Sequence, residues 1–163
     1  MTTNLVETTR LHFRPKQITT LFVGESAPAS GDFFYYGTSA MTRYMREAVE
    51  SALGGTDDFL ETFNGYGWYL DDLSLLPVDK LDKPERLRVC RAAQVSLTER
   101  IAAYQPTAIV TLLLSVKEIV EAAAIAAGSR AARYAVPFPG MGQQGRFKRE
   151  ISAIIPELPR LPL

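Results

Sequence analysis

Residues 18–25 read ITTLFVGE, a short apolar run rich in β-branched side chains that ends at Gly24 and a proline-containing loop. A run of this length and composition predicts a strand buried on both faces of a sheet. At Thr38 or Ser39 the pattern changes to apolar residues at i, i+3, i+4 and i+7, which predicts an amphipathic helix that Gly54 ends. The chain therefore opens with a strand followed by a helix.

This strand–helix unit recurs along the rest of the chain. Further strands are predicted at 68–76, 108–114 and 134–138, with Pro77 ending the first of them and Pro106 opening the second. The remaining helices are predicted as a brief turn at 58–63, one long helix from Asp82 to Tyr104 with Pro84 in its first turn, an alanine-rich helix that runs from a Ser115–Glu118 capping box to Gly128, and a last helix near 147–155.

Four strands, each followed by a helix, predict a mainly parallel sheet covered on both faces. The expected fold class is thus α/β, a three-layer α/β/α sandwich formed by residues 1–163 as one domain, with its core at about 18–158. Sheets of this kind bind ligands beyond the carboxyl ends of their strands. The candidate site is therefore expected in the loops 25–37, 71–80 and 137–146.

Composition narrows the class of protein further. The 163 residues are 47% hydrophobic and carry no net charge, so any nucleic-acid interface needs local clustering of basic residues. The single cysteine, Cys90, excludes an internal disulfide framework and a cysteine-rich zinc site, and it lies on an apolar helical stripe typical of a core. No stretch reads as a signal peptide or a membrane span. We expect a cytoplasmic monomer without a metal or cofactor.

The first loop combines an acid with four consecutive aromatic residues. Glu25 follows the first predicted strand, and residues 33–36 read FFYY. Aromatic faces stack on planar ligands such as nucleobases, and a carboxylate can orient a water molecule and accept its proton. The alternative is that these rings cap the hydrophobic core and that Glu25 interacts with a helix dipole.

Two adjacent acids and a glycine motif mark the other loops. Asp71 and Asp72 follow each other on a strand, so we expect their side chains to point to opposite faces rather than to form an acid–base pair. The sole histidine, His12, precedes the first strand and is expected at the surface. The motif GMGQQG, residues 140–145, matches G-x-G-x-x-G, but no strand or ribose-binding acid follows it, which argues against a dinucleotide site. Its backbone N–H groups, beside a basic helix start, could hold a phosphate; the alternative is a flexible turn.

The segment FVGESAPASGDFFYYGTSAMTRYM resembles the first motif region of uracil-DNA glycosylases. The resemblance continues through WYLDDLSLLPVDK and PTAIVTLLL to VPFPGMGQQGRF at the position of the second motif, and so covers residues 18–158. The order of elements carries more of the resemblance than residue identity does.

The resemblance implies roles for individual residues. Glu25 would activate the hydrolytic water, with Ser26 beside it in the base pocket. Phe34 or Phe33 would stack on the extruded base. Asp71 or Asp72 would stand where an asparagine commonly reads the base edge. The loop 138–144 would enter the DNA minor groove, and the residues assigned to DNA or phosphate are Phe138, Pro139, Gly140, Gly142, Gln143 and Arg146.

The chain also departs from the family pattern. Phe138-Pro139-Gly140 stands where the second motif usually has His-Pro-Ser or Asn-Pro-Ser, and one extra residue separates Glu25 from Pro28. An aspartate at the base-reading position favours amino and ring N–H groups over the carbonyls of uracil. Three functions follow as hypotheses: a divergent DNA glycosylase-like hydrolase, an inactive module that binds nucleic acid or a nucleobase, and a hydrolase of small nucleotides or nucleosides.

Overall fold

A four-stranded parallel sheet forms the centre of the protein. The computed structural model describes the chain from Thr2 to Leu163, with side chains from Leu5 onward. The strands are β1 (Thr20–Gly24), β2 (Trp68–Asp72), β3 (Ala108–Thr111) and β4 (Ala132–Ala135). Their order is β2-β1-β3-β4, and every neighbouring pair is parallel. The predicted α/β class is confirmed.

Seven α-helices connect and cover the strands in the described chain. They are α1 (Thr2–His12), α2 (Ala40–Leu53), α3 (Phe59–Gly65), α4 (Lys83–Ala92), α5 (Gln94–Tyr104), α6 (Lys117–Ala126) and α7 (Gln144–Ile154). Short 3-10 helices occupy Phe34–Tyr36, Leu114–Val116 and Ile155–Glu157.

The helices lie on both faces of the sheet. The chain moves from β1 to β2 in one direction and returns past β1 to β3 and β4 in the other. Right-handed crossovers then place the helices between β1 and β2 on one face and those between β2 and β4 on the other. Consistently, α2 packs against α7, and α5 packs against α6. The central strand β1 is the most deeply buried, with Leu21, Phe22 and Val23 inaccessible to solvent.

Local sequence explains where several helices begin. Ser39 Oγ accepts a hydrogen bond from the Thr42 N–H at 3.1 Å, and Asp82 Oδ1 accepts one from the Glu85 N–H at 3.0 Å. Each side chain satisfies a backbone donor that has no partner inside the helix. The starts predicted for α2 and α4 are therefore confirmed.

Several details of the sequence prediction are wrong. The long helix divides at Ala93 into α4 and α5. The capping box fails because Ser115 lies inside a 3-10 helix, and Val116 precedes α6 without a side-chain cap. The second strand, predicted at 68–76, ends at Asp72. The third strand, predicted at 108–114, ends at Thr111, and the fourth, predicted at 134–138, spans Ala132–Ala135.

Helix α1 has no counterpart in the sequence prediction, which treated this segment only as polar.

No helix in the described chain is both long and apolar enough to cross a membrane.

Candidate functional site at the carboxyl edge

Glu25 follows β1 directly and is held by an arginine of α4. The Arg86 Nε donates to Glu25 Oε2 at 2.8 Å, and its Nη2 donates to Oε1. The Cys90 Sγ lies 4.0 Å from the same Oε2. The side chain of Glu25 is 13% exposed and that of Arg86 is 37% exposed. A fixed carboxylate with access to solvent therefore marks this edge of the sheet.

Both charge and burial shift the pKa values of the residues around Glu25. The hydrogen bond from Arg86 to Glu25 raises the pKa of Arg86, so its guanidinium stays charged. Burial, reinforced by the negative charge of Glu25, raises the pKa of the Cys90 thiol, which therefore stays protonated at neutral pH. A protonated, buried thiol is a poor nucleophile. Among Glu25, Arg86 and Cys90, the carboxylate is the group suited to proton transfer.

The loop after Glu25 is fastened to the loop after β2. Ser26 Oγ accepts a hydrogen bond from the Val78 N–H at 3.2 Å, and Asp79 Oδ1 accepts one from the Ala29 N–H at 3.0 Å. The Glu25 carbonyl accepts a further bond from the Ser74 N–H at 2.9 Å. The structure thus brings Glu25 and Ser26 against the predicted loop 71–80.

The aromatic segment faces inward for most of its length. Phe33 is 1% and Phe34 is 5% exposed, and the Phe34 ring lies 5.4 Å from the ring of Phe63 between centroids. These two rings cap the core, as the alternative interpretation has it, and a base could stack on Phe34 only after its ring left these contacts. Tyr36 is the aromatic residue of this segment that reaches solvent.

Tyr35 closes the free edge of the sheet. Its hydroxyl accepts a hydrogen bond from the Leu70 N–H at 2.6 Å and donates one to the Leu70 carbonyl at 2.9 Å. Burial raises the pKa of the Tyr35 phenol, so it keeps the proton that it donates. Because β2 is an edge strand, this contact satisfies backbone groups that would otherwise lack partners.

Asp71 and Asp72 form a buried ion cluster at the end of β2. Arg10 of α1 places Nη1 2.8 Å from Asp72 Oδ2 and 3.4 Å from Asp71 Oδ1. Arg100 of α5 donates from Nη1 to Asp71 Oδ2 at 2.8 Å and to the Asp72 carbonyl at 2.7 Å. The expectation that the two carboxylates serve opposite faces is wrong, because the strand ends here and both carboxylates reach Arg10.

Electrostatics within this cluster follow from its burial. Although burial favours the neutral form, the carboxylates of Asp72, Asp71 and Glu7 raise the pKa of Arg10. Burial also raises the pKa of Asp72, against the lowering effect of Arg10. In this arrangement both aspartates are already occupied by arginine, and neither is open to a base.

The loop between β4 and α7 is a tight turn with an apolar tip. Its Gly140 N–H donates to the Phe138 carbonyl at 2.9 Å, and Met141 and Gly142 adopt positive φ angles of 51° and 84°. Met141 is fully exposed and Phe138 is 49% exposed, while Pro139 is buried and anchors the turn. The prediction that the Gly140 N–H binds phosphate is wrong, since that donor is used internally.

Basic residues begin immediately after this turn. Arg146 pairs with Glu150 at 2.7 Å along α7, and Lys148 and Arg149 are exposed. Gln143 and the Gly142 backbone are exposed next to them, and within the described chain the Gly142 N–H has no acceptor. An anion approaching this end of α7 would meet a free N–H and several cationic side chains.

Exposed apolar side chains surround the carboxyl edge. We call the following set the apolar rim; its members lie in the loops after all four strands: Tyr36, Leu75, Leu76, Leu81, Leu114, Phe138 and Met141. Exposed apolar side chains grouped at one end of a domain indicate an interaction surface. Two surface cavities, of about 300 and 360 Å³, lie at the opposite edge, beside Gln105 and beside Gly54.

Three arginines that complete these groups were missed from the sequence: Arg10, Arg86 and Arg100. Each lies on a helix that is distant in sequence from its carboxylate, and no motif marks it. The available signal was indirect: acids at the ends of buried strands need counter-charges.

No set of three or more His, Cys, Asp or Glu side chains that could hold a metal occurs in the described part of the chain.

Comparison of the sequence with models of known protein families and with curated proteins gives no match.

Proposed function

We propose that this protein is a divergent DNA glycosylase-like hydrolase that binds DNA at the carboxyl edge of its sheet. The observation that carries the proposal is the turn 138–143, whose exposed Phe138 and Met141 stand beside the basic start of α7. Apolar wedges next to cationic side chains are a recurrent means of opening a duplex, because the wedge replaces lost stacking and the cations bind phosphate.

Extrusion of a base costs a few kcal/mol. Contacts from the apolar rim and phosphate contacts from Arg146, Lys148 and Arg149 would offset that cost. The protein has no net charge, so this local cluster, rather than a long-range field, would direct binding.

Glu25 is the residue that we assign to catalysis. Arg86 binds both of its oxygens, but a carboxylate offers about four acceptor sites, so sites remain for a water molecule. Glu25 would accept a proton from that water while the water oxygen bonds to C1′ of the sugar. The C1′–N bond breaks, its electron pair leaves with the base, and the proton passes from Glu25 to the departing nitrogen. The carboxylate also stabilises the positive charge that develops on the sugar.

The test is base release from oligonucleotides that carry uracil, hypoxanthine or xanthine. Glu25→Gln is expected to lower the rate by about 10²- to 10⁴-fold, because it removes the proton acceptor. Glu99→Gln, an exposed acid on α5, is the matched control and should leave the rate unchanged. Absence of release from every substrate, with the wild-type protein folded, would refute the enzymatic proposal.

A second candidate is a binding module that does not turn over its ligand. The observation that favours it is the occupation of Asp71 and Asp72 by arginines, together with the buried rings of Phe33 and Phe34. It predicts oligonucleotide binding that weakens steeply as salt rises, without base release. Lys148→Ala with Arg149→Ala should reduce the salt dependence, whereas Arg130→Ala at the opposite edge should not.

A further inference from the structure

The two outer strands of the sheet, β2 and β4, differ in whether their outward backbone groups are satisfied. On β2 the Tyr35 hydroxyl binds both the N–H and the carbonyl of Leu70. On β4 the N–H groups of Ala132 and Val136 donate to β3 at 3.0 and 2.9 Å. Because successive backbone groups of a strand alternate in direction, those of Arg133 and Ala135 point away from the sheet.

Strand β4 is also open to solvent along its length. Ala132 and Arg133 are exposed, and Tyr134 and Ala135 are half-buried, whereas every residue of β2 is buried. In the described chain, β4 packs chiefly against β3. An outer strand with free N–H and carbonyl groups is a template for pairing with another strand.

The charged side chain of β4 does not guard this edge. Arg133 Nε donates to Glu121 Oε1 of α6 at 2.9 Å, and its Nη1 donates to the Ser129 carbonyl at 3.4 Å. The guanidinium is therefore paired within its own chain and is held toward α6. The whole chain carries no net charge, so two copies do not repel each other over long range.

Helix α6 adds apolar surface beside the same edge. Ile125 lies four residues after Glu121, and residues four apart share one face of a helix. Arg133 contacts Glu121 before Ile125 and Ser129 after it, so this face of α6 lies next to β4. The Ile125 side chain is 64% exposed. An unpaired strand and an exposed apolar side chain thus form one continuous surface.

This surface is complementary to itself about a two-fold axis at Tyr134. Antiparallel pairing of two β4 strands sets Arg133 opposite Ala135 of the second copy, and each such pair exchanges both N–H···O bonds. A long side chain then faces a short one, and no like charges stand opposite each other. Tyr134 faces its own equivalent, and aromatic pairs at such positions stabilise a sheet.

We propose that β4 is a dimerisation edge and that its occupant is a second copy of this chain, which joins the two sheets into one. Tyr35 closes the other outer strand, so association ends at two copies in a closed two-fold dimer. The strands run antiparallel at the junction, so the two carboxyl edges face opposite directions. The inference is independent of the proposed function, and a dimer replaces the monomer expected from the sequence.

The first test is the mass of the full-length protein in solution. Sedimentation equilibrium over a range of concentrations should show the mass rising from 18.0 kDa towards twice that value. A mass of one chain up to about 1 mM, the Kd of a marginal association, overturns the proposal, whether or not the edge binds an extended peptide.

Two variants that place the same charge on exposed helical positions locate the interface. Ile125 and Val95 are both β-branched and are 64% and 68% exposed, on α6 and α5. Ile125→Lys should raise the Kd of the dimer by about ten-fold or more, because it brings two like charges to the junction and removes apolar surface. Val95→Lys should match the wild type. Equal Kd values in the two variants overturn the proposal.

Substitution of Ala135 tests the strand pairing itself. Ala135→Pro removes an N–H that points outward and leaves the bonds to β3 in place, as outer strands tolerate. Its dimer should be lost, while Ala135→Val, which keeps the N–H, should still dimerise. Equal dimerisation of the two folded variants would contradict pairing through β4.

Amide exchange followed by NMR on the wild-type protein replaces this comparison if Ala135→Pro does not fold. The N–H groups of Arg133 and Ala135 should exchange at least about ten-fold more slowly at a concentration where the dimer forms than at one where it does not, because pairing protects them. The Leu70 N–H, bound by Tyr35, should exchange at the same rate in both. A dimeric mass without this protection at β4 overturns the proposal.

Discussion

The neighbouring strands β1 and β2 are each followed or ended by carboxylates that pair with arginine. The two ion-paired groups differ in how deeply they are buried. At the end of β1, Glu25 and Arg86 keep 13% and 37% of their side chains exposed. At the end of β2, the side chains of Asp71, Asp72 and Arg10 are at most 7% exposed. The first pair is accessible to water and ligands, whereas the second fastens α1 to the sheet. An acid at a strand end is therefore not by itself a functional residue, because its burial decides what it can do.

The largest expected effect is a loss of stability on breaking the buried ion cluster at the end of β2. Arg100→Ala should lower the free energy of unfolding by about 3–5 kcal/mol, because it leaves the Asp71 carboxylate buried with one cation fewer. Urea unfolding followed by circular dichroism measures this change. Arg88→Ala removes an arginine whose pair with Glu85 is solvent-exposed and should cause no measurable loss. Equal losses of unfolding free energy in the two variants would contradict the conclusion that buried ion pairs matter more for stability here than exposed ones.

The next largest loss of stability is expected at Gly24, which precedes Glu25 in the chain and lies against Asp72. A Cβ at this position would lie 2.5 Å from Asp72 Oδ1, so Gly24→Ala forces a buried carboxylate to move. We expect a loss of about 1–3 kcal/mol in unfolding free energy. Gly55→Ala is the control, since a Cβ there meets no atom within 4 Å. If both variants unfold at the same denaturant concentration, the two carboxylate groups are not packed as described.

At the exposed pair, stability and activity should separate. Arg86→Ala should cost about 1 kcal/mol or less in unfolding free energy, because solvent screens this pair. The kcat for base release should nevertheless fall by about 10²-fold, because Glu25 loses the contacts that orient it. Parallel unfolding and single-turnover measurements test this. If Arg86→Ala lost as much stability as Arg100→Ala and kept its kcat, the Glu25–Arg86 pair would have a structural rather than a catalytic role.

The smallest expected change in stability is at the apolar tip. Met141 has a φ of 51°, a conformation that costs an L-residue about 1–2 kcal/mol and costs glycine nothing. Met141→Gly should therefore stabilise the fold by about 0.5 kcal/mol once the added freedom of the unfolded chain is included. Its oligonucleotide affinity, measured by fluorescence anisotropy, should fall, while Met141→Leu keeps the wedge and the affinity. Unaltered affinity in Met141→Gly would remove the tip from the interface.

Local patterns in the sequence were sufficient for the framework. The apolar run at residues 18–25 contains β1, and Ser39 and Asp82 cap the helices that they were predicted to start. The rule that parallel strands present their carboxyl ends at one edge also placed Glu25 and the turn 138–143 at the same edge of the sheet. These predictions succeed because strand period, capping and turn chemistry depend on residues close in sequence.

The sequence by itself determined the alternation of strands and helices from β1 onward, the edge at which the loops meet and the residue types available there. Only the tertiary structure decided which acids are neutralised and which rings are buried. Arg10 and Asp72 are 62 positions apart, and Arg86 and Glu25 are 61 apart, so no local pattern connects them. The physical reason is that burying a charge requires a partner, and packing of distant helices on the sheet determines which arginine supplies it.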